Sequence, residues 1–238
     1  WIDINKGDAD NENYRSRLVA KEFNNSLRPD LFAATPPLEA LKLIVSMLTT
    51  ENHGEKLMIN DVSRAFFCAP ARRQVFVELP SEDEDRGTMV GELNYSMYGT
   101  RDAAQNWGEE CAETMIEAGF VRGKASPCTF YHADRSLRTY VHGDDYVTVG
   151  KDADLKWLRK KLEAKYEIKT QVLSPEKEDS QQVKILNRIL ILTNNGVEYE
   201  ADPRHAEIVI KELGLADAKG VVTPGTNEEG TTKADCEE

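Results

Sequence analysis

Residues 140–150 read YVHGDDYVTVG. The β-branched and aromatic residues on both sides of Gly143-Asp144-Asp145 favour extended strands, while Gly and Asp favour the backbone angles of a tight hairpin. The segment therefore reads as strand, turn, strand. Two adjacent carboxylates each raise the cost of ionising the other. A divalent cation offsets that repulsion and makes neighbouring carboxylates useful as hard oxygen ligands. A plain turn and a metal site are both open readings of this stretch alone.

The surrounding chain narrows the choice. Its 238 residues are 40% hydrophobic and 30% charged, which suits one large domain or two small ones with a real core. No run approaches the roughly 18 apolar residues of a membrane span, so no membrane partner is expected. The opening WIDINKGDADNENYRSRL lacks the basic-then-apolar layout of a signal peptide and resembles a strand entered partway. Cys68, Cys111, Cys128 and Cys236 show no CxxC pairing and no His at ligand spacing, which speaks against zinc and against a disulfide framework. A reducing, intracellular and cytoplasmic setting follows, with the first three as buried free thiols. The net charge of −12 disfavours nucleic acid, because phosphate neutralisation needs Lys and Arg. The acid is unevenly placed: SEDED at 81–85, EKED at 176–179 and an acidic tail over 227–238 read as solvated segments. Arg15, Arg17, Lys21, Arg72 and Arg73 gather in the first third.

Periodicity supplies the elements. In PPLEALKLIVSML, Leu38, Leu41, Val45 and Leu48 recur at helical spacing, predicting a helix from about Pro37 to Thr50 that ends near Asn52 to Gly54. KLMIN predicts a short strand with Asp61 at its carboxyl end, and QVFVELP alternates as a strand. A helix from about Asp102, a residue that can serve as its cap, carries the buried stripe Ala103, Trp107, Cys111, Met115 and Ala118, with Trp107 read as core packing. CTFYHADRSLRTYVHGDDYVTVG predicts antiparallel strands with turns at HADRS and GDD. DADLKWLRKKLEAKYEI predicts an amphipathic helix burying Leu155, Leu158, Leu162 and Tyr166, with Asp152 as its cap. A hairpin turning at NNG and a helix from about Pro203 close the chain. Hairpins exclude a simple parallel βαβ repeat, so the fold class is α+β, helices packed on an antiparallel sheet.

If the strand ending at Asp61 neighbours the hairpin bearing Asp144 and Asp145, three carboxylates meet at one sheet edge. Such a set suits Mg²⁺, which takes hard oxygen ligands and keeps part of its shell for water or phosphate.

In order along the chain, YRSRLVAKEF, PPLEALKLIVSML, MINDVSRAFFCAP, VFVELP, LNYSMYGTRDAAQNW, SPCTFY with YVHGDDYVTVG, and ADPRHAEIVIKELGLADAKGVVTPGT resemble the segments of copia-type retrotransposon reverse transcriptases. The resemblance covers roughly residues 1–226. It implies a right-hand polymerase fold: fingers over about 1–55 and 71–95, palm over about 56–70 and 96–170, and a thumb-like region over about 171–226. It implies an RNA-directed DNA polymerase, adding deoxynucleotides to a primer 3′-hydroxyl by a two-metal mechanism. The metals would be two Mg²⁺ ions, with Mn²⁺ able to substitute.

By the same resemblance, Asp61 and Asp144 match the carboxylates that bridge both ions. Asp145 matches the second aspartate of the pair, and the Val62 carbonyl completes the shell. Phe66 matches the steric gate against a 2′-hydroxyl. Arg17, or Arg15 in a shifted register, would hold the incoming triphosphate, and Tyr98 and Gly99 would lie by the nucleotide and template. Implied partners are an RNA or DNA template with primer, deoxynucleoside triphosphates, and the integrase and ribonuclease H segments of a Pol polyprotein, in a virus-like particle if the element is active. His142 and Gly143 stand where the family has Tyr-Val, and Gly143 is expected to loosen the hairpin. The alternative is a remnant that keeps the fold and binds nucleic acid or a partner without catalysis. A phosphotransferase of another kind would need a GxxxxGK(S/T) loop, which the sequence lacks.

Overall fold

A computed structural model of the chain describes residues 1–7, 11–23, 28, 30–50, 54–201 and 204–220. In chain order the elements are β1 (Ile2–Asn5), β2 (Tyr14–Arg17), α1 (Leu38–Thr50), β3 (Glu55–Val62), a 3-10 turn (Ala65–Cys68), β4 (Phe76–Glu78), β5 (Val90–Glu92) and α2 (Ala103–Glu117). Then follow β6 (Val121–Arg122), β7 (Thr129–His132), β8 (Leu137–His142), β9 (Asp145–Lys151), α3 (Asp152–Glu163), β10 (Ile168–Leu173), β11 (Gln182–Ile185), β12 (Arg188–Thr193), β13 (Gly196–Ala201) and α4 (Arg204–Glu212). The expected acidic tail over 227–238, the helix-starting Pro203 and the helix-ending Asn52 lie outside the described residues.

The α+β expectation is borne out. A six-stranded sheet in the order β10-β3-β9-β8-β7-β6 forms the centre, and each neighbouring pair is antiparallel. Alternation along β3 explains why it lies inside. Met58 and Val62 point into one core with Trp107, Cys111 and Met115 of α2 and Leu155, Leu158 and Leu162 of α3. Leu57 and Ile59 point into a second core with Leu41, Ile44 and Val45 of α1 and with Val183, Ile185 and Leu190 of the sheet β11-β12-β13. A strand covered on both faces reads as a continuous apolar run rather than an alternating one. That is the KLMIN pattern. β1 pairs with β2, and β4 with β5, in separate two-stranded ribbons.

Several local expectations are corrected. Asp152 is the first residue of α3 rather than its cap; Lys151 holds that position, and Asp152 pairs with Lys156 at 2.6 Å. Asp102 precedes α2, but its side chain caps nothing. Its carboxylate accepts from Arg73 at 3.0 Å and from Asn106 at 3.1 Å. Of the thiols, Cys111 is buried, whereas Cys68 and Cys128 are half-buried. The hairpin ending at NNG is preceded by a second turn at Leu186 and Asn187, both with positive φ (48° and 59°), the type I′ pattern for a two-residue loop.

The EKED segment is not simply solvated. Lys56, with 7% of its side chain exposed, donates to Glu176 at 2.6 Å and Asp179 at 2.7 Å and lies 3.2 Å from Asp152. A buried ammonium is tolerated because three carboxylates surround it. The Lys56 hydrogen bond holds Asp179 below the usual carboxylate range, and Lys156, with Lys56, does the same for Asp152. Both carboxylates therefore bind protons more weakly folded than unfolded, and their stabilisation is lost as pH falls through the lowered values. Lys56→Met is expected to cost about 2 kcal/mol at pH 7, the scale of hydrogen bonds to charged groups. In denaturant titrations the gap to the unaltered chain should narrow below about pH 4, where unfolded carboxylates protonate. A constant gap from pH 7 to pH 3 would contradict the ion-pair account.

Candidate active site

Register brings the carboxylates together. Asp61, next to last in β3, is the direct cross-strand partner of Asp145, the first residue of β9. Directly opposed residues on antiparallel strands share a face, so these two side chains leave the sheet on the same side. His142, at the end of β8, is the partner of Asp145 on its other flank. The pairing runs one step further, because the Val62 N–H donates to the Asp144 carbonyl at 2.9 Å. Asp61 and Asp144 are exposed and Asp145 is half-buried.

The turn between β8 and β9 consists of Gly143 and Asp144. Gly143 has φ 61° and Asp144 is not among the positive-φ residues, the type II′ pattern, which takes Gly first. Gly143 does not loosen the hairpin. It supplies the one backbone conformation that a side chain there would strain, and its carbonyl accepts the Trp107 indole N–H at 2.7 Å. Trp107 was expected as core packing alone. It is buried as expected, lies edge-on to Tyr166 at 5.4 Å, and also tethers the carboxylate-bearing turn to α2. The only hint in the sequence was chemical: a buried indole N–H needs an acceptor.

The carboxylates also act on one another electrostatically. Burial first, then the charges of Asp144 and Asp61, pushes the Asp145 carboxyl up to about 6. Among the described residues no three His, Cys, Asp or Glu side chains close into a ready metal cage. The donor set nonetheless fits a hard divalent cation: it is all carboxylate, two members are exposed, and mutual repulsion is what a cation would reverse.

The remaining expected residues lie around this edge. The Tyr98 ring packs on Phe66 at 4.7 Å and meets Phe67 edge-on at 5.5 Å. Phe66 is half-buried against the core, whereas Phe67 is 42% exposed. Burial and the Asp144 charge push the Tyr98 phenol up, and Arg17 and Arg15 pull it the other way. One ring thus senses both the carboxylates and the arginines of β2. Gly99 has φ 89°, and a Cβ there would sit 2.0 Å from the Ala20 carbonyl oxygen. Glycine at 99 is thereby required by the backbone itself. Val62 ends β3 with its side chain buried and Ile168 of β10 opposite. A cleft of about 440 Å³ opens alongside, lined by Phe66, Trp107, His142 and Gly143 together with Phe32 and Cys128. The sequence reading missed the ion pairs of Glu22, Arg73 and Asp102, which fasten the segment after β2 to the start of α2.

In a metal-free chain the raised Asp145 carboxyl binds its proton more tightly folded than unfolded. Its ionisation therefore costs stability as pH rises through the window from about 4 to about 6. Asp145→Asn is expected to stabilise the chain by about 1–2 kcal/mol at pH 8 in chelator, after discounting for solvent screening. It should change little at pH 4. Equal stability of the two proteins at pH 8 would remove the case for carboxylate crowding.

Comparison with known proteins matches the sequence to a family. The family described as "Reverse transcriptase (RNA-dependent DNA polymerase)" matches residues 1–227. The chain is 25% identical over 236 residues to the Retrovirus-related Pol polyprotein from transposon TNT 1-94 of Nicotiana tabacum, covering 94% of this chain. It is 27% identical over 164 residues to that from transposon RE1 of Arabidopsis thaliana, covering 65% of this chain. The matched regions span 17% and 11% of those polyproteins' length. A solved structure of apo telomerase from Candida tropicalis, truncated from its C-terminal domain, aligns at 11% identity with a TM-score of 0.41, over 68% of this chain and 39% of its own. Among the described residues no helix is long and apolar enough to cross a membrane. With that family's model matching almost the whole length, the chain belongs to the reverse transcriptase family.

Proposed function

We propose that this chain is the polymerising core of a copia-type retrotransposon Pol polyprotein, adding deoxynucleotides to a primer 3′-hydroxyl on an RNA or DNA template. One observation carries the reading: the β3–β9 register that sets Asp61 opposite Asp145 with Asp144 in the adjoining turn. Asp61, Asp144 and Asp145, with the Val62 carbonyl, are the groups that would hold two divalent cations, Mg²⁺ or in its place Mn²⁺. When bound, such ions lower the pKa of the attacking hydroxyl and offset the charge on the reacting phosphates.

The chain's own residues do the rest. Arg15 and Arg17 project from neighbouring positions of one strand face and are the cations for the triphosphate. Phe66, braced by Tyr98, would exclude a 2′-hydroxyl, and Tyr98 and Gly99 would border the nucleotide and template. On this reading the central sheet with α2 and α3 belongs to the palm (about 56–70 and 96–170). The fingers are about 1–55 and 71–95, and the thumb-like region about 171–226. Integrase and ribonuclease H segments of the polyprotein are the expected partners, in the cytoplasm and in virus-like particles.

The unaltered chain should extend a DNA primer on an RNA template in Mg²⁺. Asp61→Asn should lower the rate by more than about a hundredfold, the scale on which one transition-state contact is lost, with the circular dichroism spectrum unchanged. Mg²⁺ at about a hundred times its dissociation constant should stabilise the unaltered chain by about 2.7 kcal/mol, and an Asp61→Asn, Asp144→Asn variant far less. Nucleic-acid binding without extension by the unaltered chain would overturn the proposal.

A further inference from the structure

The arginines proposed for the triphosphate sit on a ribbon that the core hardly covers. Ile2–Asn5 of β1 and Tyr14, Arg15 and Ser16 of β2 are exposed, and Arg17 is half-buried. What fixes such a ribbon in place is the segment that follows it. Ala20 N–H donates to the Tyr98 carbonyl at 2.7 Å and Glu22 N–H to the Gly99 carbonyl at 3.3 Å. The missing side chain of Gly99 lets the Ala20 carbonyl approach.

The end of this contact is locked by charge. One guanidinium nitrogen of Arg73 donates to Glu22 at 2.5 Å and to Asp102 at 3.0 Å. The same Glu22 oxygen accepts the Arg101 backbone N–H at 2.8 Å. Asp102 has 7% of its side chain exposed, Glu22 29% and Arg73 30%, so solvent screens this group less than an ordinary surface pair. The lock joins three stretches distant in sequence: the arm after β2, the loop before β4, and the start of α2.

Resting on the polymerase reading above, we infer that Arg73 is a positioning residue for the incoming triphosphate. By clamping Glu22 to Asp102, it holds the arm that follows Arg15 and Arg17 against the Tyr98–Gly99 backbone. Without Arg73 the arm loses the clamp that keeps it on the Tyr98–Gly99 backbone, and the two carboxylates left facing each other cost stability besides. The arginines keep their charge and lose their place, which weakens nucleotide binding and leaves the carboxylates and the primer–template contacts alone.

Steady-state primer extension tests this. Arg73→Met should raise the KM for deoxynucleotide about tenfold, a loss of about 1.4 kcal/mol, with kcat and the KM for primer–template nearly unchanged. Arg73→Lys should recover part of the loss, since it restores the charge but not the reach and shape of the guanidinium. Adding Glu22→Gln and Asp102→Asn to Arg73→Met removes the repulsion. Thermal stability should then recover while the nucleotide KM stays high. Recovery of KM together with stability would show a merely structural role and overturn the inference, as would an unchanged nucleotide KM in Arg73→Met. Failure of the unaltered chain to extend any primer sinks the functional reading itself, and this inference with it.

Discussion

The pairing of β3 with β9 is the constraint from which the rest of the molecule follows. Both strands are covered on both faces, so their alternation is committed twice, to α2 and α3 on one side and to α1 and the smaller sheet on the other. A slip of one residue would turn every side chain to the wrong core. Polar pairs inside the sheet reinforce the register: Asn60 donates to its strand partner Thr170 at 2.8 Å, and the hydroxyls of the opposed Thr139 and Thr148 lie 2.9 Å apart. Packing of apolar residues far from the edge thereby decides which carboxylates meet at it.

Much of this was legible in the sequence because it is periodic. α1, α2 and α3 each announce a buried stripe, and the GDD turn announces a hairpin by its residue types. Asp61 was legible as the end of an apolar run, and its proximity to the pair followed only if the two segments were neighbours. What was not legible depends on long-range partners. Asp102 and Asp152 look like caps locally, and each is instead claimed by a cation from elsewhere in the chain. Glu22 and Arg73 carry no local pattern at all, since an ion pair between residues fifty-one apart leaves no trace in periodicity. Trp107 showed its apolar ring to the pattern and hid its hydrogen bond.

The acidic composition acquires a physical sense from the same contacts. Lys56 gathers three carboxylates, and Arg73 gathers two. Few cations thus neutralise many anions where chain segments must be joined. At the candidate site the pattern is inverted, with three carboxylates and no ammonium or guanidinium paired to them in the structure's ion pairs among the described residues. Joints are electrically satisfied from within the chain, whereas at the edge bearing Asp61, Asp144 and Asp145 even Lys169, opposite Asp61 on β10, forms no ion pair with them. That contrast separates structural acid from acid available for chemistry.

The tether between Trp107 and Gly143 has an optical consequence. The chain has three tryptophans in three unlike surroundings. Trp1 is largely in solvent, Trp157 lies beneath the Arg135 guanidinium at 4.1 Å, and Trp107 is buried with its N–H on the turn. Indole emission and the indole proton resonance both respond to hydrogen bonding and polarity. Trp107 is therefore a native reporter placed one hydrogen bond from the paired aspartates, able to register movement of the hairpin without any label.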